Sequence, residues 1–103
     1  ADLNVNAVLL PPEVWADKPY SAKCDVWSLG CVIYELTALK PPFLASNMNE
    51  LYTKVTKGKY PEIPKHFSQD LAKMISYCLN VNPSSRPSPS ELLNMPAFNG
   101  GKV

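Results

Sequence analysis

The chain has 103 residues, 46% hydrophobic and 18% charged, with ten basic against nine acidic residues and a formal net charge of +1. That length accommodates one domain at most, the hydrophobic content excludes a disordered chain, and the balanced charge excludes a surface built for nucleic acid or anionic lipid. No apolar run approaches the roughly 20 residues that span a bilayer, and Ala1-Asp2-Leu3-Asn4 lacks the positive start of a signal peptide.

Eleven prolines against four glycines punctuate the sequence into helices. Ser21 is an N-cap for a helix from Ala22 to about Leu39, which ends before Pro41-Pro42. Asn47, with Glu50 three residues on, opens a second helix in the manner of a capping box. Its apolar face is Met48, Leu51, Tyr52 and Val55, and Lys57-Gly58 closes it. Ser68 caps a third, with Asp70 in the first turn and a stripe of Leu71, Ile75, Cys78 and Leu79. Ser88-Pro89-Ser90-Glu91 is the strongest start, with serine at N-cap, proline at N1 and glutamate at N3, and Pro96 ends that helix. No period-two run, repeat or low-complexity tract interrupts the pattern. The reading is all-α, with four main helices.

Three cysteines, an odd number, read as reduced thiols in a core. Cys24 and Cys31 lie on one helix about 10 Å apart along its axis, too far for a disulfide. His66 is the only histidine, so a zinc site lacks ligands.

The helix from Ala22 to Leu39 is apolar on every side. Val26, Leu29 and Ile33 form one side, Cys24, Trp27, Cys31 and Tyr34 a second, Val32, Leu36 and Leu39 a third. Such a helix belongs in the centre of a large domain, and three other short helices can hardly surround it. Here a resemblance becomes specific. Asp25-Val26-Trp27-Ser28-Leu29-Gly30-Cys31-Val32-Ile33-Tyr34-Glu35-Leu36 is similar to the central helix in the C-terminal lobe of eukaryotic protein kinases. Upstream, Pro11-Pro12-Glu13 resembles the Ala-Pro-Glu motif that ends the activation segment. Pro41-Pro42-Phe43 and Arg86-Pro87-Ser88 match later landmarks of that lobe in order. The likeness covers roughly Leu9 to Phe98. Lys57-Gly58-Lys59-Tyr60-Pro61-Glu62-Ile63-Pro64 points to the NIMA-related (Nek) serine/threonine kinases.

The resemblance divides the chain into a divergent or disordered N-terminal segment, 1–8, a kinase C-lobe helical subdomain, 9–98, and a tail, 99–103. Where the family has Gly-Thr-Pro, this chain has Val5-Asn6-Ala7. Phosphoryl transfer needs a glycine-rich loop, a strand lysine, a catalytic-loop Asp and Asn, and a magnesium-binding aspartate. None of these motifs occurs here: His66-Phe67-Ser68 is no H-R-D, and Gly58 and Gly100-Gly101 form no phosphate loop. The expectation is therefore the C-terminal part of a protein kinase, with ATP and magnesium bound by other sequence of the parent and no catalytic, cofactor or metal residue in this chain. The alternative is a kinase-derived binding module without catalysis that docks proteins through Met48 to Lys57.

By resemblance, Glu13 and Arg86 form a buried ion pair, Asp25 anchors the catalytic-loop backbone, and Glu35 corresponds to a substrate-contacting acid of basic-directed kinases. From the residues alone, Asp25 is solvated or paired with Lys23 or another donor, and Glu35 is a helix-surface acid. Trp15 and Trp27 read as core aromatics. The partners implied are a protein substrate or docking protein and the remaining kinase lobe, without nucleic acid or membrane. The apolar third side of the long helix points to self-association. The implied location is intracellular, cytoplasmic or cytoskeleton-associated.

Overall fold

A computed structural model describes residues 10–96. The assignments made for 1–8 and 99–103 lie outside these residues. Among these described residues five helices follow in order: α1 (Pro12–Trp15), α2 (Ala22–Ala38), α3 (Met48–Lys57), α4 (Gln69–Cys78) and α5 (Pro89–Leu93). There is no strand among the described residues, and the architecture is all-α.

The last four are the helices expected, and local chemistry sets their starts. Each cap side chain accepts a hydrogen bond from a first-turn N–H: Ser21 from Lys23 at 3.2 Å, Asn47 from Glu50 at 2.8 Å, Ser68 from Leu71 at 3.1 Å and Ser88 from Glu91 at 3.2 Å. The capping box of α5 is complete, because the Ser88 N–H donates back to Glu91 Oε1 at 2.8 Å. At α3 only half of the expected box forms. Glu50 turns instead to Lys54 one turn on, at 3.2 Å, an i,i+4 pairing that competes with the backbone for the same carboxylate. Gly58 ends α3 in the left-handed region at φ 68°, and its N–H donates to Lys54 and Val55 carbonyls.

The additional helix, α1, is a single turn. Pro11 and Pro12 fix the entry to it, since proline at the first helical position lacks an N–H that would be unbonded anyway.

The core forms around α2. Trp27, Cys31 and Tyr34 pack with Phe43, Leu51, Val55, Ile63, Ile75 and Leu79, and on the adjoining side Val26 packs with Met74, Cys78 and Leu92. Trp27 stacks on Phe43 with ring centroids 5.7 Å apart and planes 2° from parallel, an arrangement that adds to plain area burial. Gly30 lets α2 approach α4 closely: a Cβ there would sit 2.5 Å from the Cys78 Cβ. Two sides of α2 are thus largely covered. The third is not: Val32 is 44% exposed, Leu36 74% and Leu39 87%, with Leu29 at 40% beside them. No helix is long and apolar enough to cross a membrane among the described residues.

Candidate functional site

The most elaborate polar arrangement links the two ends of the described chain. Pro11 and Pro12 are buried and set α1 so that Glu13, in its first turn, points inward with 8% exposure. Arg86 arrives from the turn before α5 and is 1% exposed. The two form a bidentate pair, Arg86 Nη1 donating to Glu13 Oε2 at 2.7 Å and Nη2 to Oε1 at 3.0 Å. The remaining guanidinium donors reach backbone: Nε and Nη2 donate to the Asn80 carbonyl at 3.0 and 2.8 Å, Nη1 to the Lys23 carbonyl at 2.9 Å. The guanidinium carbon lies 5.2 Å from the centre of the Trp27 ring, within cation–π range.

Burial alone would raise the Glu13 carboxyl. The hydrogen bonds and charge of Arg86, a backbone N–H and the Cys24 thiol outweigh it, so the carboxyl is held below its ordinary value. Cys24 donates its S–H to Glu13 Oε2 at 3.4 Å while its sulfur accepts the Ser21 N–H at 3.3 Å. Lys23 tightens the same corner by donating to the carbonyls of Pro83 at 3.1 Å and Arg86 at 2.5 Å.

Asp25 stands apart from this cluster. It is exposed in the first turn of α2 and accepts the Tyr20 hydroxyl at 2.5 Å. Lys23, one partner anticipated for it, is turned to the 83–86 carbonyls instead, and Tyr20 is the donor. Glu35 is exposed near the other end of α2. The fold therefore brings Glu13 and Arg86 together and leaves Asp25 and Glu35 as separate outward-facing acids. Trp27 is fully buried, while Trp15 is partly buried, edge-on to Tyr52, with its indole N–H on the Leu10 carbonyl at 3.2 Å.

Sequence reasoning missed the supporting shell of Cys24, Lys23 and the Asn80 carbonyl. Ser21-x-x-Cys24 has the spacing of a capping box, so a thiol at N3 was a readable hint. The carbonyl acceptors carry no side-chain signature.

Nothing in this arrangement cradles phosphates. The described residues contain no group of three or more His, Cys, Asp or Glu that could hold a metal ion. A groove of about 690 Å³ runs between the 60–68 loop and α4 and is lined by Tyr60, Ile63, Phe67 and Ile75 with Ser68 and Ser76. It has no glycine-rich loop beside it, so these residues do not fit a nucleotide and its magnesium.

The family model for the protein kinase domain matches residues 3–98. The chain belongs to the protein kinase family. Several of the curated relatives it matches are named as Nek kinases, and another as a putative serine/threonine-protein kinase A. It is 47% identical to a probable serine/threonine-protein kinase nek3 of Dictyostelium discoideum over 88% of this chain and 8% of that protein. It is 45% identical to serine/threonine-protein kinase Nek5 of Mus musculus, over 84% of the chain and 14% of that protein. With the G2-specific protein kinase nim-1 of Neurospora crassa it shares 45% identity over 84% of the chain and 10% of that protein. The chain thus spans at most about a seventh of the length of these three relatives. In this chain the ion pair joins the segment Pro11-Pro12-Glu13 to Arg86-Pro87-Ser88.

Proposed function

We propose that this chain is the helical, substrate-facing part of the C-terminal lobe of a Nek-type serine/threonine kinase. The whole protein transfers a phosphoryl group from ATP to serine or threonine of proteins. ATP and magnesium bind to parent sequence other than these residues, and this part supplies the frame that holds the end of the activation segment. The observation that carries the reading is the Glu13–Arg86 pair, at 2.7 Å, tying the two motifs together across the lobe. Phosphoryl transfer depends almost wholly on positioning and charge stabilisation, so a rigid anchor under the substrate-binding segment contributes through geometry. Asp25 is the residue we assign to the catalytic-loop backbone, with Tyr20 holding its carboxylate when that loop is not engaged. Glu35 is assigned to contact with basic substrate residues.

Two measurements test this. The parent reading frame should phosphorylate a Ser/Thr peptide and should lose most of that activity in Arg86→Ala. The 103-residue chain alone should show no micromolar heat of binding with Mg-ATP; such binding, or an inactive parent lacking the missing motifs, overturns the reading. A second reading, a non-catalytic docking module, draws support from the apolar side chains exposed around α3. Leu44 is 54% exposed, Met48 43% and Tyr52 45%. Under it, the parent would lack phosphoryl transfer yet retain a partner sensitive to Tyr52→Glu.

A further inference from the structure

The segment that joins α3 to α4 takes no part in the ion pair. Tyr60-Pro61-Glu62-Ile63-Pro64 runs without helix or strand, and its chemistry restricts it. Proline fixes its own φ at Pro61 and Pro64, and the residues before them, Tyr60 and Ile63, are biased to extended backbone. Four of the five residues are thus set for the polyproline helix, which turns once every three residues. Burial follows that period. Tyr60 is partly buried, edge-on to Tyr34 with ring centroids 5.3 Å apart, and Ile63 is 8% exposed in the core. Pro61 and Pro64 face outward, as do Glu62 and Lys65. A strand would bury alternate residues instead. The chain also holds both prolines from within: Tyr34 Oη donates to the Pro61 carbonyl at 2.5 Å, and the Phe67 N–H to the Pro64 carbonyl at 3.2 Å.

We propose that the Pro61–Pro64 edge is a docking ridge for a partner domain of the SH3 type, whose aromatic-lined groove takes polyproline helices. Two prolines three residues apart stand about 9 Å from one another along one edge, the repeat such a groove reads. A free peptide must be ordered when it binds, whereas this ridge is already fixed by its buried residues, which lowers the cost of association. From residue 57 to 65 the exposed charges are Lys57, Lys59 and Lys65 against Glu62 alone, so the complementary groove is rimmed by acids. The ridge packs on Tyr34, on the covered side of α2 and away from Val32 and Leu36. Its inward side chains are covered by this chain's own core, which makes it a finished surface and not one awaiting the rest of the lobe. The proposal does not rest on the catalytic reading of the parent, and a phosphoryl-transfer assay does not bear on it.

Titration of the isotope-labelled 103-residue chain with a panel of acid-rimmed SH3 domains tests it, followed by amide shifts in nuclear magnetic resonance. At least one domain should shift Glu62, Ile63 and Lys65 while Val32 and Leu36 stay unmoved. Pro61→Ala and Pro64→Ala should each weaken that binding about tenfold, as loss of an anchor does. Lys65→Glu lies on the surface and leaves the circular dichroism unchanged, so it carries the test if a proline variant unfolds. It should weaken binding too, and lysine in place of a rim acid of the SH3 domain should restore it. No shift from any domain at high micromolar concentration overturns the proposal. Binding that survives the folded proline variants and Lys65→Glu, or that moves another surface of the chain, overturns it as well.

Discussion

Every nitrogen of the Arg86 guanidinium donates to a fixed acceptor, and both oxygens of Glu13 accept from it. Arg86→Ala leaves a buried carboxylate without its counter-charge, and should cost about 3–5 kcal/mol by chemical denaturation. Arg86→Lys should cost a large part of that, since one ammonium cannot serve two carboxylate oxygens and two carbonyls at once. A loss below ~1 kcal/mol for Arg86→Ala would place the pair among exposed ones. The acid side follows from the lowered Glu13 carboxyl. A carboxyl depressed in the fold stabilises it above the unfolded value and loses that contribution as pH falls through the folded one. Denaturation midpoints should therefore drop below about pH 4.5 in the wild type, and more shallowly in Glu13→Gln. The thiols make a separate prediction. Burial pushes Cys31 up to about 12 and Cys78 up to about 11, so neither is a thiolate at neutral pH. Both should react with a thiol reagent only at the rate at which the chain opens, and fast labelling of the native protein would contradict their placement.

At the scale of elements, caps were the most legible part of the fold because they are chemistry between residues three apart. Ser21, Asn47, Ser68 and Ser88 all sit where their side chains accept first-turn N–H groups. Ser88→Ala should cost about 1 kcal/mol. The α1 helix was not legible, since four residues cannot display a 3.6-residue period. Glu50 misled because two short-range partners, the Asn47 N–H and Lys54, compete for it and spacing alone does not choose. The glycines carry the packing that sequence could not reveal. Gly30→Ala pushes a methyl against Cys78 at 2.5 Å in the α2–α4 contact, and overpacking of this kind should cost about 1–3 kcal/mol. Gly58→Ala meets both a left-handed backbone and Val81 at 2.4 Å, so it should cost at least as much; an unchanged midpoint for either variant would show that the helices shift freely.

For the whole molecule, the family was legible because its landmarks recur in order along the chain, while the supporting shell of the ion pair was not. Tyr20 reaches Asp25, and Lys23 and Asn80 join Arg86, only because loops close on one another, and no periodicity records that closure. Glu13 and Arg86 are 73 residues apart, which has a consequence for the order of folding. Glu13 leaves the ribosome long before its partner exists, and until then it remains a hydrated acid on an unfinished chain. Closing so wide a loop is entropically costly until other contacts have gathered the ends. The pair should thus form after the rate-limiting step. Arg86→Ala should then leave the refolding rate nearly unchanged and speed unfolding from about a hundredfold to several thousandfold, with a φ-value near zero. The bond would act as a latch on a fold already assembled, setting how long the native state lasts more than how quickly it is reached.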